Sequence, residues 1–89
     1  MADETPSAEQ VRQLQEQLAA LSVEQFVVSA ASTLASLAYA KLEAKDLAEA
    51  KRAIDALASL LPHVEGELGR DLQGALAGLQ IAFAQAASA

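Results

Sequence analysis

The residues most capable of metal binding or catalysis lie close to the only histidine of the chain. Within the segment HVEGELGRD, three acidic residues follow His63 at short spacing: Glu65, Glu67 and Asp71. An imidazole beside carboxylates could bind a cation or act as a general base. The chain has no cysteine and no second histidine to complete a ligand set, and acids at this spacing are typical of a solvated connector. We therefore predict no metal site and no cofactor.

Serines are plentiful, but they lack the neighbours that nucleophilic catalysis requires. Ser29, Ser32, Ser36 and Ser59 all lie in segments with helical patterning. The sequence contains no G-x-S-x-G elbow, and GELGRD has no phosphate-binding lysine. Serines on helices usually bond back to their own backbone. We predict that the protein is not an enzyme, because no acid, base and nucleophile converge.

The composition indicates one small helical domain with few large apolar side chains to form a core. The 89 residues include 22 alanines and only three aromatic residues, and no disulfide is possible. Alanine favours helices but buries little surface, and a chain of this size is marginally stable alone. Association with a second chain is a common way to enlarge such a core.

The distribution of charge argues against two classes of partner. The net charge is −6, and the only adjacent basic residues are Lys51 and Arg52. A chain without a basic stripe is a poor ligand for nucleic acid or for an anionic membrane. The N-terminal segment MADETPSAEQ lacks the basic region and the apolar region that are typical of a signal peptide. We expect a cytoplasmic protein with a flexible N-terminus over residues 1–6.

Capping residues divide residues 7–87 into four predicted helices within one domain. The helices are expected at about 7–20, 23–43, 47–61 and 67–86. Each of the first three begins with a cap and a partner three residues later: Ser7 with Gln10, Ser22 with Gln25, and Asp46 with Glu49. The narrow apolar stripe of the first helix consists of Val11, Leu14, Leu18 and Leu21.

The uncharged run FVVSAASTLASLAYA, residues 26–40, is the most informative stretch. It is shorter than the roughly twenty apolar residues of a membrane span, so we expect no stable membrane insertion. It is too long and too rich in alanine for a strand. Two apolar faces run along the predicted helix: Val23, Phe26, Ala30 and Leu37 on one, and Val27, Ala31, Leu34, Ala38 and Leu42 on the other. A helix that is apolar nearly all round needs neighbours on several sides, which favours a subunit interface.

The end of the chain combines a glycine-containing connector with a final helix. Pro62 is expected to end or kink the third helix, and HVEGELGRD is predicted to be a loop or a frayed turn. From Leu72 onward, the last helix has the apolar spacing of a heptad seam. Gly74 and Gly78 lie one turn apart, which indicates either a close helix crossing or simple tolerance of glycine.

Three segments together resemble a known family. They are FVVSA at 26–30, DLAEAKRAIDALASLL at 46–61 and LQIAF at 79–83, the middle one being the most specific. The stretch 22–85 resembles the small bacterial proteins of the domain of unknown function 1844 family. The connector VEGEL departs from the Lys-Thr-x-Gly-Asn-Leu pattern frequent in that family. The resemblance implies a helical, cytosolic bacterial protein and implies no activity.

The sequence thus predicts an all-α, antiparallel helix bundle of three to four helices per chain, completed by oligomerisation. The expected function is a non-enzymatic oligomerisation or protein-interaction module that forms a homodimer or a larger homo-oligomer. The predicted interface comprises Phe26, Val27, Ala30, Leu34, Leu37, Ala38, Gly74 and Gly78. The alternative is a carrier of a small apolar ligand, held between the second and fourth helices. The sequence leaves open whether the first helix packs on its own chain or on a neighbour.

Overall fold

The computed structural model describes residues 7–88, and the all-α prediction is confirmed over that range. Four α-helices follow one another, and no strand occurs among the described residues: α1 (Ala8–Ala19), α2 (Val23–Glu43), α3 (Leu47–Leu60) and α4 (Gly66–Ser88). A short 3₁₀ turn, Leu61–His63, follows α3 directly. The flexible N-terminus predicted for residues 1–6 lies outside the described part of the chain.

The predicted N-caps of the first three helices are confirmed. At the start of α1, the Gln10 amide donates to Ser7 Oγ at 3.2 Å, and the Ser7 amide donates to Gln10 Oε1 at 2.9 Å. These reciprocal bonds form a capping box. The side chains of Ser22 and Asp46 each accept a bond from the amide three residues later, both at 3.3 Å. Short side-chain acceptors therefore set where these helices begin.

The turn between α2 and α3 is a Schellman motif built without glycine. The Asp46 amide donates to the Lys41 carbonyl at 2.9 Å, and the Lys45 amide donates to the Leu42 carbonyl at 3.0 Å. This bonding pattern requires a left-handed backbone at the residue after the C-cap, which is Lys45 with φ of 62°. A side chain in that conformation crowds the following carbonyl, so the turn carries a small energetic cost.

The core lies between α2, α3 and α4, which contact one another pairwise. Leu57 of α3 and Leu79 of α4 are its largest fully buried side chains. Around them are the remaining members of the buried apolar cluster: Ala31, Ala38, Ala53, Ile54, Leu61 and Leu76. Three of the eight residues in this cluster are alanine, so the helices supply little apolar volume to their common core.

The connection from α3 to α4 is shorter than predicted. Pro62 lies in the 3₁₀ turn that ends α3, as expected from its missing amide proton. The predicted loop over 63–71 is wrong for its second half, because α4 already begins at Gly66, which has φ of +71°. Gly69 lies so close to the connection that an added Cβ would be 2.5 Å from the Val64 carbonyl oxygen. That close approach holds the first turn of α4 against the end of the 3₁₀ turn.

One long-range hydrogen bond also ties the connector to α2. The Glu65 amide donates to the carboxylate of Glu24 at 3.1 Å. Glu24 lies in the first turn of α2, and Glu65 immediately precedes α4. A charged acceptor makes this bond stronger than one between neutral groups. The N-terminal ends of α2 and α4 are therefore held near each other.

Helix α1 stands apart from the other three. It is bent by 85° relative to α2, has no buried residue and packs against none of α2, α3 or α4 within residues 7–88. The prediction that α1 and α2 are separate helices is confirmed. No single described helix is both long enough and apolar enough to span a membrane, and α1 and α2 meet that test only as a bent pair.

Candidate interaction surface

The two apolar faces of α2 have different environments. The inner face carries Ala31 and Ala38, which are fully buried, and Leu34 and Leu42, which pack against the core cluster. It therefore faces α3 and α4. The outer face consists of Val23, Phe26, Ala30 and Leu37, and we keep this name for these four residues. The inner face is covered by α3 and α4, and the outer face is not covered by them.

The outer face exposes large apolar side chains that would normally be covered. Val23 is 78% exposed, Phe26 is 67% exposed and Leu37 is 45% exposed, whereas Ala30 is half-buried. Single exposed apolar residues are common on soluble proteins, but a row at helical spacing is less so. Such a row forms an apolar strip along α2, interrupted only by Thr33 between Ala30 and Leu37.

A second apolar strip lies on α1. Val11, Leu14, Leu18 and Leu21 are all exposed, and we call these four residues the α1 stripe. Their spacing of three, four and three residues places them on one side of the helix. Leu18, at 65% exposure, is as open to solvent as Phe26. The stripe predicted from the sequence exists, but nothing within residues 7–88 covers it.

The two strips meet at the bend between α1 and α2. A surface hollow of about 250 Å³ is lined by Leu18 and Leu21 from the α1 stripe and by Val23 and Phe26 from the outer face. Ser22, the N-cap of α2, completes the lining. The bend is therefore an apolar elbow whose two walls come from different helices. Leu21 and Phe26, which have the spacing of a hydrophobic staple, both contribute to it.

The elbow is bordered by neutral polar residues. Gln10, Gln13 and Gln17 flank Leu14 around a neighbouring hollow on α1. The charged residues of α1 pair with one another, because Arg12 forms ion pairs with both Glu9 and Glu16. On α2, no charged residue occurs between Glu24 and Lys41. Charged residues lie beside the outer face only around Leu37, where Lys41, Glu49 and Arg52 share a hollow with it.

The predicted interface residues divide between the two faces of α2. Phe26, Ala30 and Leu37 belong to the outer face, where a partner has access to them. Leu34 and the half-buried Val27 lie on the inner face with Ala38, which has no exposed surface. An interface on the outer face therefore would not include Ala38.

The two predicted interface glycines are also in different surroundings. A Cβ added to Gly74 would meet nothing within 4 Å, whereas one added to Gly78 would lie 3.6 Å from the Tyr39 hydroxyl. Neither position shows a close helix crossing within the chain. The close approach occurs instead at Gly69, within the segment predicted to be a loop or a frayed turn. Its position one turn after Gly66 was the available signal, because two glycines there permit the chain to fold back closely.

The residues capable of metal binding or catalysis do not form a site within the described residues. His63 is exposed in the 3₁₀ turn, and no three His, Asp or Glu side chains within residues 7–88 are arranged to hold a metal ion. No polar side chain is buried in the same range. A hollow of about 450 Å³ between the ends of α2, α3 and α4 is lined by Leu42, Lys45, Leu47 and Ala86.

Comparison with known proteins adds no relative. No protein-family model, curated protein or solved structure matches the chain. The resemblance to the bacterial family of unknown function therefore stays a prediction. The apolar elbow and the outer face of α2 are the features from which a function can be argued.

Proposed function

We propose that the protein is a non-enzymatic oligomerisation module that associates with copies of itself through the outer face of α2. The observation that carries the proposal is that α2 has two apolar faces and only one of them is covered by α3 and α4. Covering Val23, Phe26 and Leu37 would remove three large apolar side chains from water. Each contributes about 1.5–3 kcal/mol when fully buried. In this proposal, a second copy completes an antiparallel helix bundle.

The small residues of α2 suit close contact with another helix. Ala30 lies between Phe26 and Leu37, and Thr33 continues the same row. The Thr33 hydroxyl donates to the Ser29 carbonyl at 3.0 Å, so a partner can cover this residue without leaving its hydroxyl unpaired. The row thus offers both apolar surface and room for a neighbouring backbone.

A purely structural role agrees with the polar side chains of the described chain. Its ion pairs lie at the surface: Arg12 with Glu9, Lys51 with Asp55, and Arg52 with Glu49. Surface pairs of this kind hold little free energy and create no unusual reactivity. The family resemblance, with the bacterial and cytoplasmic origin that it implies, belongs to the same proposal.

Light scattering coupled to size-exclusion chromatography, over a range of concentrations, tests the proposal. We expect a dimer or a larger species for the native chain and a folded monomer for the double variant Phe26→Ser/Leu37→Ser. Loss of these two contacts should weaken association by at least about a hundredfold. Circular dichroism checks that the variant keeps its helices.

Ile81→Ser supplies the matched control. Ile81 is 59% exposed on α4, so the change removes comparable apolar surface away from the outer face of α2. It should leave the oligomer unchanged. A native chain that stays monomeric at every concentration would contradict the proposal. Dissociation by Ile81→Ser alone would instead move the interface to the side of α4 that carries Gly74 and Gly78.

A second candidate function is transport or storage of a small apolar ligand. The 450 Å³ hollow near Leu42, Leu47 and Ala86 favours it, because that volume falls in the range of ligand pockets. Native mass spectrometry of protein purified from cells distinguishes the two functions. An apolar species retained on a monomer would support the carrier, and its consistent absence from an oligomer would support the module.

A further inference from the structure

We propose that the α1 helix of one copy lies across the outer face of α2 in a second copy, and that the exchange is reciprocal. This inference rests on the proposed self-association and names the segment that makes the contact. The partner is therefore a second molecule of the same chain. The contact joins the α1 stripe of each molecule to the outer face of the other.

The isolation of α1 is the first reason. The helix has only 12 residues, and within the described range it gains no support from α2, α3 or α4. Helices shorter than about 12–15 residues are marginal in water, even when rich in alanine, unless an apolar face is packed. The capping box at Ser7 aids the start of α1 but covers none of its stripe. No residue within 7–88 covers the stripe, so contact with a second molecule would stabilise α1.

The lengths of the two strips agree. At 1.5 Å per residue, the α1 stripe from Val11 to Leu21 extends about 15 Å. The outer face from Val23 to Leu37 extends about 21 Å on the same basis. A single α1 helix is therefore long enough to cover most of the outer face. The bends of the two molecules leave each α1 projecting from its own core, in reach of another chain.

The elbow favours exchange over simple pairing of two α1 helices. Val23 and Phe26 are among the most exposed apolar side chains, and they share a hollow with Leu18 and Leu21. Two α1 helices paired only with each other would cover their stripes and leave Val23 and Phe26 in water. An α1 helix that lies on the outer face of the partner covers Val23 and Phe26 as well as its own stripe. Exchange is thus the arrangement that covers both strips together.

The charge pattern favours a second copy as the occupant. Each chain carries a net charge of −6, so two copies repel one another unless their contact surfaces are neutral. Gln10, Gln13 and Gln17 border the α1 stripe, and the opposing stretch of α2 from 25 to 40 is uncharged. A helix with an uncharged apolar side suits this stretch. On α1, helical spacing places Glu9, Arg12 and Glu16 away from the stripe, which Gln10, Gln13 and Gln17 border on one side.

Twofold symmetry closes the assembly. If α1 of the first molecule contacts α2 of the second, the same rotation places α1 of the second on α2 of the first. Both stripes and both outer faces are then covered, so neither strip is left to recruit further copies. Each association therefore buries two copies of the same contact. The product is a dimer rather than an open chain.

Cysteine cross-linking tests the exchange, because the natural chain has no cysteine. Leu14→Cys places one thiol on the α1 stripe, and Ala30→Cys places one on the outer face. The two variants are unfolded together, refolded as a mixture and treated with a short bis-maleimide. We expect the cross-linked pair in the mixture to exceed that in either variant alone by at least tenfold.

The control pairs Leu14→Cys with Ala77→Cys, an exposed position on α4. This mixture should give no more cross-linking than the separate variants. Efficient cross-linking of Leu14→Cys alone would show α1 paired with α1 and would overturn the exchange while leaving self-association intact. An oligomer without any α1 cross-link would overturn it as well. A monomer would remove the proposed function too, so the two failures are distinguishable.

A second measurement covers the case in which a cysteine variant does not fold. Native chains labelled with ¹³C are mixed with unlabelled chains, and contacts between molecules are read from filtered nuclear Overhauser spectra. We expect the methyl groups of Leu14 and Leu18 in one chain to contact the Phe26 ring of the other. Contacts from these methyl groups only to another α1 would contradict the exchange.

Discussion

Helices α1 and α3 share an amphipathic pattern, but the apolar side is buried in α3 and exposed in α1. Both are short, with 12 and 14 residues, and both carry apolar residues along one side and charged residues along the other. In α3, that apolar side includes Ala50, Ile54 and Leu57, all buried. In α1, no residue is buried. The pattern predicts that a face needs covering, but it does not identify what covers it.

The different burial of α1 and α3 indicates how stability is distributed along the chain. Helix α3 is held by the same contacts that hold α2 and α4, so all three should unfold together. Helix α1 shares none of those contacts within the described residues. It should therefore unfold locally and at much lower free energy in a dilute sample. Four pairs of substitutions test this division of stability.

The largest effect is expected at the centre of α3. Leu57 is fully buried, so Leu57→Ala should lower the free energy of unfolding by about 2–5 kcal/mol through lost burial and a residual cavity. Leu14→Ala, the matched change on α1, should cost less than about 0.5 kcal/mol. Urea denaturation at low protein concentration measures both. Equal losses for the two variants would mean that α1 belongs to the same cooperative unit.

The next effect is expected at the start of α4. Gly69→Ala places a Cβ against the Val64 carbonyl and should cost about 1–3 kcal/mol, because the backbone must move. Gly74→Ala is the control, since its added Cβ meets open space. It should raise stability by up to about 1 kcal/mol in a dilute monomer. Thermal unfolding followed by circular dichroism compares them. A stabilising Gly69→Ala would show that α4 does not press on the connector.

The third effect compares two helix caps. Asp46→Ala removes the acceptor for the Glu49 amide and should lower global stability by about 1 kcal/mol. Ser7→Ala removes the corresponding acceptor in α1. It should reduce the helical signal at 222 nm without moving the urea midpoint of a dilute sample. A shift of that midpoint by Ser7→Ala would contradict the independence of α1.

The smallest effect is expected in the turn between α2 and α3. Lys45 has a left-handed backbone, so Lys45→Gly should raise the free energy of unfolding by about 0.5–1 kcal/mol. Lys45→Ala keeps a Cβ and removes the charge, so it separates the backbone effect from electrostatics. It should leave stability nearly unchanged. Equal gains from both variants, measured in urea, would assign the effect to the charge instead.

Much of the fold follows from local signals in the sequence. Ser7, Ser22 and Asp46 marked the starts of three helices, because capping depends on residues only three positions apart. Pro62 marked the end of α3 for an equally local reason. The predicted start of α4 at about 67 is one residue from the observed Gly66, but the loop also predicted for 63–71 is wrong, because the glycines that suggested it only weaken helix propensity. The packing of Gly69 on Val64, a tertiary contact, outweighs that weakness.

The candidate surface could be predicted only in part. The sequence shows that α2 has two apolar faces, but their residues are too alike to say which one meets α3 and α4. Ala38 and Phe26 were therefore assigned to one interface, although the first is fully buried in the chain and the second is exposed. The Lys45 turn was missed because the usual glycine is absent there. The cap at Ser22 predicts the turn between α1 and α2, but its angle of 85°, which creates the elbow, has no sequence signature.

The position of Tyr39 gives the chain a natural optical probe. It is the only tyrosine, the chain has no tryptophan, and its hydroxyl on α2 lies beside Gly78 of α4. Tyrosine emission therefore reports whether α2 and α4 are together and is not influenced directly by α1. The amide signal in circular dichroism counts all four helices. Recording both signals during one urea titration separates unfolding of α1 from unfolding of the core of α2, α3 and α4, without any label.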